Sequence, residues 1–241
     1  LLIYLLFCFM KNRYVDLKID WGFNYLMDRE SQMRSFLNSL LSEDYGEIKS
    51  LSFENIEVFS ESLDGCGVIF DLLCTTDSGD KIIVELQNCL RLSFKVQSKF
   101  YFLLFSEQAL SRVQCLASRR IDITHKVGVF LLDKCFEDER RPIVVTQEFD
   151  RIKKVPFESG MRKYFIFLEN FDITKIDLLS PKDCWLEVIK NLGCNKSKIS
   201  PNVYEKADLD LLELIERANV CNLSDDEYKR YEAELRASQL L

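Results

Sequence analysis

Two short apolar runs, each carrying one acid, lie either side of a tight turn, and together they constrain this chain more than any other feature. The first is Val68-Ile69-Phe70-Asp71-Leu72-Leu73-Cys74; the second is Ile82-Ile83-Val84-Glu85-Leu86-Gln87. Between them stands Asp77-Ser78-Gly79. Short aliphatic runs bounded by turn residues read as strands. A three-residue loop with Gly at its third, left-handed position is a standard hairpin connection. Its closing pair would be Thr76 with Asp80, and counting back along an antiparallel ladder sets Asp71 opposite Glu85 on one face. Gln87 then shares that face. A two-residue loop, Ser78-Gly79, would instead pair Asp71 with Leu86 and send the two acids to opposite faces. In the first register two carboxylates and an amide converge among apolar neighbours. That is costly without compensation, and a divalent cation is the obvious compensator. The alternative is an ordinary hairpin whose acids are solvated.

The 241 residues suffice for one large domain or a domain with an appendage. A hydrophobic fraction of 47% with 18 Phe implies a sizeable core, and 8 Gly with 4 Pro argue against low-complexity linkers. The formal net charge of −7 does not suit a protein that wraps DNA through bulk charge. Nucleic-acid contacts must come from local basic patches: Arg91/Lys95/Lys99, Arg119/Arg120, Arg140/Arg141 and Arg151/Lys153/Lys154. Arg91, Lys95 and Lys99 are spaced four apart and form one ridge if helical; a solvated helix face is the plain alternative. The nine cysteines show no zinc-ligand spacing, and buried free thiols in a reducing cytosol fit them best. The single histidine, His125, excludes histidine-based metal clusters and disfavours most catalytic triads. The apolar start, residues 1–9, is too short to span a bilayer and lacks a basic leader. Met10 looks like the more natural start, so residues 1–12 are set aside as an apolar extension, with no stable membrane association expected.

Along the chain, Ser31 to Leu41 is a helix candidate that Ser31 can cap. Leu51 to Glu61 alternates like a strand, and the hairpin at 67–87 follows. Phe94 to Ala117 is a long helix candidate. Lys126 to Leu132, Ile143-Val144-Val145 and Tyr164 to Leu168 are further strands. A hairpin mixed with a helical crossover implies an α/β domain with a mixed sheet. From Pro181 on the chain reads helical: 182–193, Ala207 to Ala218, and Ser224 to Ser238, the last opening with a capping-box pattern. The expected division is a domain at 13–180 and a helical region at 181–241.

Assembled in order, these pieces resemble the PD-(D/E)XK nuclease family transposases, also described as Rpn-like recombination-promoting nucleases, over roughly residues 13 to 238. Arg13-Tyr14-Val15 with Asp20-Trp21-Gly22-Phe23 is similar to the family's opening, and Phe36-Leu37-Asn38-Ser39-Leu40-Leu41 to its first long helix. Phe70-Asp71-Leu72-Leu73-Cys74 and Ile83-Val84-Glu85-Leu86-Gln87 resemble its Phe-Asp-x-x-Cys and Ile-Val-Glu-Met-Gln strands. Ser106-Glu107-Gln108 and Val127 to Asp133 fit the next helix and strand, and Lys182 to Leu186 and Glu227 to Glu232 its C-terminal helices. The resemblance implies a restriction-endonuclease-like core, a central mixed sheet flanked by helices, and a cytoplasmic Mg²⁺- or Mn²⁺-dependent DNA endonuclease linked to mobile-element recombination. It implies that Asp71 and Glu85 hold the ion, that Glu57 is an additional ligand or water-positioning acid, and that Gln87 takes the place of the wider superfamily's lysine. Arg91, Lys95 and Lys99, with position 97 between them, would face DNA phosphates, which positions DNA without reading its sequence. A duplex cut calls for two such sites, which a homodimer would supply.

Three departures stand against that pattern. The family's arginine in the helix after Glu-x-Gln is Gln97 here, the opening motif's lysine is Asn24, and a Leu-Pro-Lys-Phe-like segment reads Leu168-Glu169-Asn170-Phe171. Each removes a cation and weakens the case for tight DNA binding. The second expectation is therefore a catalytically inactive remnant, or a DNA- or protein-binding module that keeps the nuclease fold.

Overall fold

The computed structural model describes residues 13–53, 72–87, 126–136, 138–156, 161–194 and 198–238. They sort into two units: one holds the residues up to Ser50 together with those from Asn170 on, and the other holds Leu51–Glu169.

The second unit is a sheet. Its strands are β1 (Leu51–Phe53), β2 (Leu72–Thr76), β3 (Lys81–Gln87), β4 (Lys126–Leu132), β5 (Ile143–Gln147), β6 (Phe149–Asp150), β7 (Val155–Pro156) and β8 (Met161–Phe167). Six of them form one sheet in the order β1-β2-β3-β4-β8-β5, and β6 and β7 form a separate two-stranded ribbon. β3, β4 and β8 run parallel, while β1, β2 and β5 join antiparallel, so the sheet is mixed as expected. Parallel strands read as unbroken apolar runs because both faces are covered. β4 fits this: Val127 and residues 129–132 are all buried. On one face Phe130, Leu132 and Phe167 form a core cluster with Cys135, Phe136, Val144 and Phe165 around it. Phe130 stacks on Phe165 at 5.3 Å between ring centroids, and Phe136 meets Phe167 edge-on at 5.2 Å. Offset and edge contacts of this kind are the arrangements the aromatic quadrupole favours.

The first unit is helical: α1 (Asp20–Met27), α2 (Glu30–Tyr45), α3 (Pro181–Asn191), α4 (Pro201–Lys206), α5 (Leu209–Arg217) and α6 (Asp225–Ser238). α2 packs on α3 and α5, and α1 on α6. Trp185 seats one junction: its ring lies 5.6 Å from that of Phe36, and its Nε1 donates to Ser35 Oγ at 3.1 Å. The N-terminal segment is stitched to the C-terminal helices. Val15 N–H donates to Ala218 O, Val220 N–H to Arg13 O, and Asp16 N–H to the Tyr231 hydroxyl. Two glycines leave room for Asp16. A Cβ on Gly22 would fall 2.2 Å from the Asp16 carbonyl oxygen, and one on Gly193, at φ +79°, 2.5 Å from Asp16 Cα. Arg217 closes the end of α1, its Nη2 donating to Tyr25 O and pairing with Asp28.

Several boundaries differ from expectation. α2 begins at Glu30 and its N-cap is Arg29, so Ser31 lies inside the first turn and caps nothing. An Arg34–Glu30 ion pair one turn apart supports that end instead. The helix expected over Ala207 to Ala218 starts at Leu209, because the Asp208 side chain accepts from Leu211 N and caps it there. The Ser224/Glu227 capping box forms as expected. The strand expected over Leu51 to Glu61 is described only at Leu51–Phe53, and the helix expected over Phe94 to Ala117 lies outside the described residues.

Candidate active site

The hairpin between β2 and β3 decides where the acids stand. Thr76 N–H donates to Asp80 O and Gly79 N–H to Thr76 O, both at 2.9 Å. Gly79 sits at φ +85°, the left-handed position that glycine fills without steric cost. The Thr76 hydroxyl accepts from Asp80 N–H at 3.1 Å and shares a hydrogen bond with Ser78 Oγ, whose hydroxyl donates to Asp80 Oδ2. The loop is therefore Asp77-Ser78-Gly79, the longer of the two sequence alternatives. The ladder confirms this, with Leu72 opposite Val84, Leu73 opposite Ile83, Cys74 opposite Ile82 and Thr75 opposite Lys81.

Glu85 lies on the third strand of six, in register with Phe130 of β4. Phe130 is in turn level with Phe165 of β8. Glu85 is 4% exposed, and its in-face strand neighbours Ile83, Leu73 and Phe130 are all buried. A carboxylate in such a place is not a solvated hairpin residue. Buried charges persist only where a partner or a cation compensates them. An oxygen donor of this kind suits a hard divalent ion. Gln87 ends β3 opposite Leu132, and its side chain lies outside the described residues. Asp71, Glu57, Arg91, Lys95, Gln97 and Lys99 lie outside them too. Among the described residues no group of three or more His, Cys, Asp or Glu could hold a metal, and no described helix is long and apolar enough to cross a membrane.

The departures can be placed more fully. Asn24 uses its Nδ2 to donate to Asp20 O, one turn back on α1. Glu169 follows β8 directly. It accepts from Cys135 N–H at 3.1 Å and pairs with Lys134 Nζ at 3.3 Å. Those bonds, led by the Cys135 contact, hold its carboxyl down to about 2. This acid, next to Asn170 at the position of the family's lysine, thus ties the segment after β4 to the residues that follow β8. Buried Cys74 on β2 has its thiol pushed up to about 12 by desolvation, which leaves it a core filler rather than a nucleophile. The sequence offers Arg151/Lys153/Lys154 as one of four candidate nucleic-acid patches. It does not show that these residues surround a bare isoleucine at the tip of the β6–β7 ribbon, though a cation run around a lone apolar residue is the available signal.

No curated protein and no solved structure matches the chain. A family model does: that of the PD-(D/E)XK nuclease family transposases, over residues 17–239. The match runs through both the helical unit and the sheet, and the mixed six-stranded sheet with C-terminal helices is consistent with a PD-(D/E)XK nuclease fold. On the length of that match, with a buried acid standing on the strand where the family pattern has one, the chain belongs to the PD-(D/E)XK nuclease family transposases.

Proposed function

We propose that this protein is a divalent-metal-dependent DNA endonuclease of a mobile element, hydrolysing phosphodiester bonds at a site built from Asp71, Glu85 and Gln87. The family comprises phosphodiester hydrolases that typically use divalent metals. The observation that supports the reading is Glu85, buried on a central strand behind the Asp77-Ser78-Gly79 loop, the loop for which the sequence reading pairs Asp71 with Glu85. That is the pairing two metal-holding carboxylates require. Glu57 is the further acid for the ion or for a water.

A cation held there would lower the pKa of a bound water and neutralise the scissile phosphate. The chain's own residues do the rest. Asp71 and Glu85 fix the position of charge neutralisation, and the apolar walls around Glu85 exclude bulk water, which strengthens every charge interaction inside. Gln87 is neutral, so its part is to orient a water or a phosphate oxygen. Arg91, Lys95 and Lys99 bind flanking phosphates, with Gln97 among them as a hydrogen-bonding group in place of a cation. No protein nucleophile is needed.

A second reading, a non-catalytic descendant that keeps the fold, is favoured by one specific observation: Asn170 stands where the family pattern has a lysine, and the acid beside it, Glu169, is committed to Lys134 and Cys135. Supercoiled plasmid incubated with Mg²⁺ or Mn²⁺ separates the two. Metal-dependent nicking that disappears in Asp71→Asn/Glu85→Gln supports the nuclease. Absence of nicking by a folded, metal-supplied protein supports the descendant.

A further inference from the structure

The two-stranded ribbon β6–β7 rises from the edge strand β5, and its turn is residues 151–154. The turn is tightly built. Asp150 Oδ1 accepts from Ile152 and Lys153 N–H at 2.8 and 2.9 Å, and Asp150 O accepts from Lys154 N–H at 2.8 Å. At the tip Ile152 is 93% exposed, and the residues around it are Arg151, Lys153 and Lys154, all exposed. None of the three cations enters an ion pair among the described residues. Phe149 and Val155 at the base of the ribbon are about half exposed.

Two features do not fit an idle loop. Lys154 stands at φ +56°, a left-handed conformation that glycine or asparagine would adopt at less cost. A chain with net charge −7 also places three cations within four residues there. The local conformation favours glycine and the local packing favours a polar residue over Ile152, yet the turn keeps a cation and an isoleucine. A local rule broken without local gain points to a contact outside the chain.

We propose that the β6–β7 ribbon is a DNA-docking element, which enters the major groove of duplex DNA with its cations on the flanking phosphates and Ile152 on the groove floor. The proposal rests on the nuclease reading above and adds a surface to it. The major groove admits a two-stranded ribbon, and its floor carries the thymine methyl groups that an apolar side chain contacts. Reach is adequate. Counting strand rise and spacing from Glu85 across β4, β8 and β5 to the turn, the tip lies at most roughly 30 Å from Glu85. On B-form DNA that is on the order of nine base pairs. One protein would then hold the duplex at the cut and again nearly a turn away.

The test is equilibrium binding of a fluorescein-labelled 30-base-pair duplex in EDTA, where no cutting occurs, across a salt series. The wild type is compared with Arg151→Ser/Lys153→Ser/Lys154→Gly and with Ile152→Ser. Far-ultraviolet circular dichroism and calorimetric melts check that both variants fold. The triple variant should bind at least about tenfold more weakly near 0.1 M salt, and its log K against log salt slope should fall by about 2–3, at about 0.9 per lost phosphate contact. Ile152→Ser should weaken binding with the slope unchanged. A triple variant that keeps wild-type affinity and slope overturns the ribbon proposal and leaves the nuclease reading standing. A wild type that binds no duplex overturns both. Ribbon-dependent binding to phosphatidylserine vesicles without binding to the duplex assigns the tip to a membrane surface and also overturns the proposal.

Discussion

Gln32 supplies the sharpest test of the packing described here. It lies in the first turn of α2, is 0% exposed, and neither its Nε2 nor its Oε1 has a hydrogen-bond partner among the described residues. Burying an amide without partners costs about 1–3 kcal/mol by the measure of protein mutants. Methionine is also unbranched, nearly equal in volume and nearly equal in helix propensity, and volume-conserving swaps usually cost under about 1.5 kcal/mol. Gln32→Met removes both orphaned atoms and keeps the shape. The expected outcome is a gain of about 1–2 kcal/mol, or on the order of 4 °C in Tm for a chain of this length. The assay has a built-in address, because the chain has 2 Trp, and both Trp21 and Trp185 stand in the helical unit that contains Gln32. Urea unfolding followed by tryptophan fluorescence therefore reports the unit that was changed. An unchanged or lowered midpoint refutes the reasoning, since it means that an internal water or a shifted neighbour already satisfies the amide. Gln32→Glu should move the midpoint strongly the other way, because a buried unpaired charge costs more than a buried amide.

Mg²⁺ or Mn²⁺ at about a hundred times its Kd should stabilise the wild type by about 2.7 kcal/mol, and Glu85→Gln should abolish that shift in a calorimetric scan; equal shifts in both proteins would remove Glu85 from the metal site. The Glu169 carboxyl is depressed in the folded state to about 2, so its contribution is complete above its unfolded pKa near 4.5 and is lost as pH falls from there towards 2; acid titrations of Tm should be shallower in that window for Glu169→Gln. Gly193→Ala should destabilise the helical unit by more than about 2 kcal/mol, since the new Cβ meets backbone atoms of Asp16 at a positive φ; a smaller loss by the same fluorescence assay would show that the segment can shift aside. Cys74 should resist a thiol reagent until the sheet unfolds, while exposed Cys221 reacts at once; a rapidly labelled Cys74, located by mass spectrometry, would contradict the buried strand.

The sheet was legible where local chemistry left one answer. Lys126 to Leu132 is an unbroken apolar run of strand length, and it forms β4 with those bounds. The hairpin left two registers open from sequence, and Gly79 settled between them: a left-handed residue is needed at the third loop position, and the Thr76 hydroxyl reinforces that closure. Helix starts were less legible. Ser31 had the right residue type, but the first turn of α2 is held by the Arg34–Glu30 pair. α4 was overlooked although Ser200-Pro201 is a fair start signal, because its six residues bury a single side chain and leave almost no periodicity to read. At the site, Glu85 could be found as an acid inside an apolar strand. At the ribbon tip only the cation run Arg151/Lys153/Lys154 was legible; the exposure of Ile152 and the left-handed backbone of Lys154 were not, because composition does not carry them.

The stitching of Arg13, Val15 and Asp16 to Ala218, Val220 and Tyr231 has a consequence for how the protein is made and lost. On the ribosome the stretch from Leu51 to Glu169 is complete while the helical unit still waits for its second half. The N-terminal segment emerges first and finds its hydrogen-bond partners last, about two hundred residues later, with its apolar side chains unburied until then. A stop codon or frameshift between Glu169 and Ala218 leaves every residue of the proposed catalytic set encoded, yet it removes Ala218, Val220 and Tyr231, the hydrogen-bond partners of the opening segment. A 3′ truncation of the gene can thus undo the fold of the helical unit while the Asp71 and Glu85 codons stay intact.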